Sequence, residues 1–549
     1  SVTLTAGAAD HIGFYSTPTS AVNNVNFTGD VLVQIYDVDN NNTGSGTTVT
    51  LSSTDATIAG TLTATANSTG RATFASGTVK LTGLVGARNL TAAITSPSAM
   101  SAATTVNITY GSPTKLGLTT QAVGSVNRQV FTTQPVLAIQ DVSGNTVENS
   151  TAEVTVNGGI VQSLITRAVN GVITYSGMAP RGTVGSITIY YTSTDGYTGT
   201  SQTMTITHGV AHHIAMTSPA TLVNDTAFST QPVVTIQDQD ANTVATGAQS
   251  TQSVVLSSDN ATIGGTTSMN AVAGVANFNT KGVKLTSLIG SRNLVATISS
   301  PSAISKTNTV TVTFGAATKL AIFTQAAGAV NGVDFTTQPV IKVQDISGNT
   351  VLNSSISIDV TIDTGDITGT KQVAAVNGVA TFAGLGKAGT IGPKTMTFSD
   401  AAGVLAVDTK QFTLTHGAAH HITMAVASTL VNHTAFGTQP VVTIYDQDDN
   451  VVTTGSQSTQ TVTLSVSGAT TVAISGSLTM DAADGVANFT GKGVKLTGLI
   501  GAKSLTATIA SPSSITKTET VTITYGAATK LVISTDAADA SNGSAFGTQ

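Results

Sequence analysis

Three turns of the chain carry two aspartates at alternate positions, and turns of this kind could bind a metal ion. The pairs are Asp37 and Asp39, Asp238 and Asp240, and Asp446 and Asp448. Calcium takes several oxygen ligands from one short loop, and carboxylates spaced in this way supply them. An ordinary turn explains the same residues, because aspartate and asparagine are favoured in turns. We favour the ordinary turn and keep calcium at these aspartates as the alternative, with no other cofactor expected.

Two further turns have the same position in the sequence but only one carboxylate. Asp141 is followed by Ser143, and Asp345 is followed by Ser347, with a glycine next in each case. Glycine at that point is typical of a hairpin turn. These two turns are therefore interpreted as structural.

Histidines form the second group that could do chemistry. Six of the eight lie in two nearly identical segments: His208, His212, His213, His416, His420 and His421. Imidazoles at this spacing can bind a divalent metal or respond to pH. In an extended strand, however, neighbours such as His212 and His213 point to opposite faces. We favour a packing role, with a metal site or a pH-sensitive hinge as the alternatives.

Other reactive groups are few. Cysteine is absent, which excludes disulfides, thiolate metal sites and cysteine nucleophiles. No Gly-x-Ser-x-Gly elbow, phosphate-binding loop or His-Glu-x-x-His helix occurs, so we predict that the chain is not an enzyme. Asn-x-Ser/Thr sequences are candidate glycosylation sites, among them Asn26, Asn107, Asn224, Asn353 and Asn432.

Composition restricts the partners of the chain. Only 9% of its 549 residues are charged and the net charge is -6, so the dense basic surface needed for nucleic acid is absent. No apolar stretch is long enough to span a membrane. We expect neither nucleic-acid binding nor direct membrane insertion by this segment.

The elements that must position these residues repeat along the chain. The segment 207–214 returns at 415–422, and a second unit that begins near Lys115 returns near Lys319 and Lys530, so two kinds of start alternate about every 100 residues. This length is one small domain rather than a solenoid repeat. The predicted units are the end of a preceding module (1–7), the first A module (8–112), the first B module (113–210), the second A module (211–316), the second B module (317–418), the third A module (419–527) and the start of a truncated B module (528–549).

Each module is predicted to be a β-sandwich. Val234 and Ile236 alternate with polar residues after a Gln-Pro pair, and Val310, Val312 and Phe314 alternate with threonines. About seven short strands per module, separated by turn residues, indicate two packed antiparallel sheets. The alternation places Phe314 in the core of the second A module. The joints between modules have almost no linker, which predicts a semi-rigid rod of roughly 200 Å from strands of about 3.3 Å per residue.

The B modules resemble a known family at several segments. Phe335 to Val340, Val343 to Val351 and Ala375 to Phe382 are similar to the bacterial immunoglobulin-like repeats of prokaryotic cell-surface proteins, which include surface-layer proteins and invasin-like adhesins. The Gln-Pro strand and the aspartate turn recur in the other modules, except that the first A module lacks Gln-Pro. The resemblance implies an all-β tandem array of immunoglobulin-like antiparallel β-sandwich modules that is extracellular and non-catalytic.

Two functions are compatible with such an array. In the first, the modules build a cell-surface filament, surface layer or coat, and the partners are copies of the chain or other surface proteins. In the second, they form the stalk of an adhesin whose binding tip lies outside this segment. Low charge favours packing between chains, because few ions must lose their water on assembly.

Overall fold

The computed structural model describes residues 2–467, 471–536, 538 and 542–545. Among these residues the regular structure consists of β-strands and a single 3₁₀ turn, Ala248–Thr251. The prediction of an all-β chain built from tandem β-sandwich modules is confirmed.

The first A module contains two sheets and a two-stranded ribbon. Its strands are β1 (His11–Ser16), β2 (Ser20–Val22), β3 (Val31–Tyr36), β4 (Thr48–Ser52), β5 (Thr57–Gly60), β6 (Thr63–Thr65), β7 (Arg71–Phe74), β8 (Val79–Thr82), β9 (Gly86–Ile94) and β10 (Met100–Thr109). One sheet has the order β1-β3-β7 and the other β2-β10-β9-β4-β6, while β5 pairs with β8. Strand β2 runs parallel to β10, so the pairing is not antiparallel throughout.

The first B module has a smaller second sheet. Its strands are β11 (Lys115–Thr120), β12 (Val136–Gln140), β13 (Glu153–Asn157), β14 (Leu164–Arg167), β15 (Val172–Thr174), β16 (Gly185–Ser193) and β17 (Thr200–Ile206). The sheets have the orders β11-β12-β15 and β14-β13-β16-β17. The first B module therefore has seven strands where the first A module has ten, and the two modules share a three-stranded sheet.

The second A module repeats the arrangement of the first. Its strands are β18 (His213–Thr217), β19 (Thr221–Val223), β20 (Val233–Gln237), β21 (Ser253–Ser257), β22 (Thr262–Gly264), β23 (Ser268–Asn270), β24 (Val275–Asn277), β25 (Lys284–Thr286), β26 (Gly290–Ile298) and β27 (Ile304–Thr313). The sheets are β18-β20-β24 and β19-β27-β26-β21-β23, with the ribbon β22-β25.

The third A module follows the plan of the first, and the second B module has one three-stranded sheet more than the first B module. The second B module contains β28 (Lys319–Thr324), β29 (Val333–Asp334), β30 (Val340–Gln344), β31 (Ser357–Ile362), β32 (Ile367–Thr368), β33 (Gln372–Ala374), β34 (Val379–Thr381), β35 (Gly386–Lys387), β36 (Gly392–Asp400) and β37 (Asp408–Leu414). The third A module contains β38 (His421–Ala425), β39 (Thr429–Val431), β40 (Val441–Tyr445), β41 (Thr461–Val466), β42 (Val472–Ser475), β43 (Thr479–Asp481), β44 (Val486–Asn488), β45 (Lys495–Gly498), β46 (Gly501–Ile509) and β47 (Ile515–Thr524).

Every module encloses its own hydrophobic core between its sheets. In the second A module Val234, Ile236 and Val310 are fully buried, as their alternation predicts. Burial of one such side chain contributes roughly 1.5–3 kcal/mol. Because the chain lacks cysteine, these cores must supply most of the stability of each module.

The Gln-Pro pair has a definite structural role. The side-chain amide of Gln231 donates to the carbonyl oxygens of Phe228 and Val283 and accepts from the Val283 N–H, at 3.0, 3.1 and 2.7 Å. One buried glutamine thus ties the entry of β20 to the segment before β25. The same bonds form around Gln439 in the third A module.

The two ends of the chain carry little regular structure. Residues 2–10 and 525–536 form no strand. Ser1 and the segment 546–549, which the sequence assigns to neighbouring modules, lie outside the described residues. The assignment of 1–7 and 528–549 to further modules stays a prediction.

Candidate functional site at the joints between modules

The aspartate of each turn lies at the joint with the preceding module. Asp238, directly after β20, accepts hydrogen bonds at Oδ2 from the Asn127 side-chain amide and the Gly209 N–H, at 2.9 and 2.8 Å. Its Oδ1 accepts from the N–H groups of Asp240 and Asn242, at 2.9 and 3.0 Å. One carboxylate therefore closes its own turn and also holds two groups of the first B module.

A second residue of the turn strengthens the same joint. The side-chain amide of Asn242 donates to the Gly182 carbonyl at 2.9 Å and accepts from the Val184 N–H at 2.8 Å. The turn thus binds the loop before β16 in addition to the end of β17. We call the set Asn127, Asp238 and Asn242, and its equivalents at other joints, the joint clamp.

The joint clamp recurs at all four junctions between the described modules. The upstream asparagine donates to the aspartate in the pairs Asn23–Asp141, Asn127–Asp238, Asn224–Asp345 and Asn331–Asp446, at 2.7, 2.9, 2.8 and 2.7 Å. The downstream asparagines Asn145, Asn242, Asn349 and Asn450 each bind a backbone carbonyl of the preceding module. A-to-B and B-to-A joints are therefore closed by the same chemistry.

A glycine is required where the last strand enters the joint. A Cβ atom on Gly209 would lie 2.6 Å from the Asn127 carbonyl oxygen, and one on Gly111 would lie 2.5 Å from that of Asn23. The N–H of each glycine donates to the clamp aspartate. Close approach of two backbones thus explains the glycine at each of the four joints between the described modules.

The clamp aspartates are buried and charged. Asp141, Asp238, Asp345 and Asp446 are at most 1% exposed. Burial raises the pKa of such a carboxyl, but the hydrogen bonds from the joint glycine and the two asparagines outweigh it and lower the pKa, in Asp446 to about 2. A buried carboxylate surrounded by donors in this way favours the assembled joint over a separated one.

The residue before the joint glycine distinguishes the two kinds of joint. At A-to-B joints it is Tyr110 or Phe314, and each packs against the core of the B module that follows. The prediction that Phe314 belongs to the core of the second A module is wrong. Strand β27 ends at Thr313, and the chain then turns into the joint, so the alternation no longer sets the direction of the next side chain.

At B-to-A joints the same position holds a histidine. Nδ1 of His208 lies 2.9 Å from the Gly209 carbonyl oxygen, and its Nε2 accepts from the Thr246 N–H at 3.1 Å. His416 makes the same contacts with Gly417 and Thr454. Both ring nitrogens are thus engaged within the joint, and the packing role of the histidines stays a prediction.

The remaining histidines of the two segments lie beside one another. The rings of His212 and His213 are 5.8 Å apart and edge-on, as are those of His420 and His421. His421 also stacks on Tyr445. Within the part of the chain that the structure describes, no three histidine or acidic side chains come together as a metal site.

The second carboxylate of an A-type turn has different surroundings at each joint. Asp240 accepts from Arg128 and Arg181, and its pKa is lowered chiefly by the hydrogen bond from Arg128. Asp448 accepts from Asn331 and from the Gly389 N–H. In the first A module the bonds shown are those of the first carboxylate, Asp37, which accepts from the N–H groups of Gly7 and Asp39. Calcium at these turns stays a prediction, and the structure gives the first carboxylate of each pair a role that requires no cation.

The candidate glycosylation sites have unequal access. Asn26, Asn107 and Asn353 are exposed, whereas Asn432 is half-buried. Asn224 is 1% exposed and donates to Asp345 and Ser347. A glycan on Asn224 would exclude this joint, so we withdraw Asn224 as a candidate in the folded chain.

Sequence reasoning found the aspartates but missed their partners. The upstream asparagine always follows a valine, as in Val126-Asn127 and Val330-Asn331, and it recurs in both module types. That repeated dipeptide was the available signal. It could not be assigned to the joint from sequence alone, since it lies more than 100 residues before the aspartate that it binds.

No helix long and apolar enough to span a membrane occurs among the described residues.

Comparison with known proteins identifies no family for the chain. No family model matches, and no curated protein matches. Among solved structures, the extracellular domain of protocadherin gamma B4 is 12% identical, with 94% of this chain and 84% of that chain covered and a TM-score of 0.25. The bacterial integrin-binding protein invasin is 13% identical, with 76% and 81% covered and a TM-score of 0.24. Domains 4–9 of the surface layer protein SbsC are 14% identical, with 94% and 82% covered and a TM-score of 0.22. At these TM-scores the matches carry no functional argument.

Proposed function

We propose that the chain is a non-catalytic, extracellular structural array that builds a cell-surface filament, surface layer or coat through packing of its modules. The observation that carries the proposal is the joint clamp at each of the four junctions between the described modules. Charge-assisted hydrogen bonds restrict bending at each joint. An array with joints of this kind fixes the distance between successive modules and presents equivalent module faces at regular intervals.

A recurring apolar feature supports lateral contact. Leu84, Leu288 and Leu499 occupy the same loop of the three A modules and are 58%, 60% and 65% exposed. The backbone beside two of them is held by a clamp, because Val85 and Ile289 donate to the downstream asparagine of the next module. These leucines recur once per A–B pair, about every 205 residues. Exposed apolar groups at a fixed interval suit contacts with other copies of the chain.

Electron microscopy of the purified chain at high concentration tests the proposal. We expect threads or a lattice whose spacing is that of one A–B pair, roughly 70–90 Å from strand dimensions. Replacing Leu84, Leu288 and Leu499 together by aspartate should abolish the order, because three charges would have to be desolvated at each contact.

A matched variant controls for the added charge. Val169, Val272 and Val376 are 72–75% exposed at hairpin tips, and their replacement by aspartate should leave the assembly intact. Equal loss in both variants would show that charge alone, and not the leucine loops, governs assembly.

The stalk of an adhesin is the second candidate function. It rests on the same clamped joints but requires no contact between neighbouring chains. Isolated rods at every concentration, with the unaltered sequence, would exclude the coat and leave the stalk in its place.

A further inference from the structure

The two B-to-A joints differ in the groups that face the second carboxylate of the turn. At the first, Asp240 accepts from Arg128 Nε and Nη2 at 2.6 and 2.7 Å and from Arg181 Nε at 3.2 Å. Asn127 donates to the same carboxylate at 2.9 Å. The arginines cover the side chain of Asp240, which is only 12% exposed.

The second B-to-A joint keeps the carboxylate and lacks the arginines. Asp448 takes the place of Asp240, and Asn331 still donates to it at 2.8 Å. Gly332 stands at the position of Arg128, and Ala388 at that of Arg181. Of the ion pairs among the described residues, none involves Asp448, and its side chain is exposed.

A cavity occupies the place that corresponds to the two guanidinium groups. It has a volume of about 320 Å³ and is lined by Asn331, Gly332, Ala388, His420, Asp446 and Asp448, among others. Lys387, which precedes Ala388 in the chain, is buried and donates to the Ala388 carbonyl oxygen. Two carboxylates thus border the cavity, and no cation of the described chain pairs with Asp448.

We propose that this cavity binds a guanidinium group, in the form of an arginine side chain from another molecule. The first joint supplies the geometry, since the equivalent carboxylate there accepts two N–H groups from one planar guanidinium. The backbone at the site is also equivalent. Gly332 has φ 74° and Arg128 has φ 61°, and a Cβ atom added to Gly332 meets nothing within 4 Å.

Titration of the full chain with arginine amide tests the site. Calorimetry should show one saturable site per chain. Asp448→Asn should weaken binding at least about tenfold, because a charge-assisted bidentate contact is lost. Gly332→Arg should abolish binding by filling the cavity from within, whereas Gly332→Ala, which adds only a Cβ atom, should retain it.

The proposal would be overturned by the absence of saturable binding of arginine amide, by equal binding of lysine amide, or by a calcium site that arginine amide does not compete for. Undiminished binding in Gly332→Arg would place the ligand elsewhere and also sink the proposal. The binding test uses the chain in solution and does not depend on the proposed coat. The proposal that the arginine comes from a neighbouring chain does rest on the proposed coat. Loss of assembly in Gly332→Arg would support that source.

Discussion

A buried carboxylate destabilises a protein unless donors surround it. At the joints each clamp aspartate meets this condition with donors from two modules. Asp345, for example, accepts from Asn224 and the Gly315 N–H on one side and from Asn349 on the other. The carboxylate therefore has its full set of donors only when the two modules are in contact.

Replacing Asp238 by asparagine should weaken the first B-to-A joint. An amide retains one acceptor oxygen but presents an NH₂ group to the donors of Asn127 and Gly209, so about 1.5–3 kcal/mol should be lost. Faster hydrogen exchange of the Gly209 amide would report the loss. Asp259→Asn, at an exposed turn of the same module, is the matched control and should leave that amide protected.

Acid should weaken all four joints. A carboxyl group whose pKa is lower in the folded chain than in the unfolded chain stabilises the folded state. This contribution is complete above the unfolded pKa of about 4, and it is lost as the pH falls through the folded pKa. For Asp446 the folded pKa is about 2. Protection of the Gly417 amide should therefore decline between about pH 4 and pH 2, and Asp446→Asn should remove most of that dependence. An unchanged pH profile in the variant would contradict this assignment.

At the scale of elements, the end of each A-module strand β10 or β27 acts on the next module. Tyr110 and Phe314 follow these strands and pack against the core of the B module. An element of one module thus completes the hydrophobic packing of its neighbour. At the A-to-B joints, the polar joint clamp therefore lies beside this apolar contact.

Phe314→Ala should therefore destabilise the second B module and spare the second A module. Because Phe314 is half-buried, we expect a loss of roughly 1 kcal/mol, about half of what full burial of such a side chain contributes. Hydrogen exchange at the Val343 amide should rise, while that at Ile236 should not. Phe278→Ala, which removes a fully buried ring of the second A module, should give the reverse pattern with about 3–5 kcal/mol.

At the scale of the whole molecule, the four clamps act in series. If each one restricts bending, breaking a single clamp should introduce bending at a single point. Asn127→Ala should broaden the distribution of angles between the first B and second A modules in electron micrographs. The other three joints of the same particles are the internal control, and an unchanged distribution at the altered joint would show that the clamp does not determine stiffness.

The sequence alone determined the class of fold and the repetition. Alternation of residues such as Val234 and Ile236 reports burial directly, because successive side chains of a strand point to opposite faces. Turn residues and the recurring Gln-Pro pair then located strands to within a few residues. These signals depend only on residues that are neighbours in the chain, and a single sequence shows such patterns directly.

Only the tertiary structure decided what the chemically interesting residues do. In the sequence, Asp238 resembles one of the two carboxylates of a calcium site. The structure places Asn127, which lies 111 residues earlier, in hydrogen-bond contact with it. Phe314 fits the alternation of its own strand, yet it packs against the next module because the strand ends one residue before it. Contacts across a joint depend on where two folded modules meet, and no periodicity within either module encodes that position.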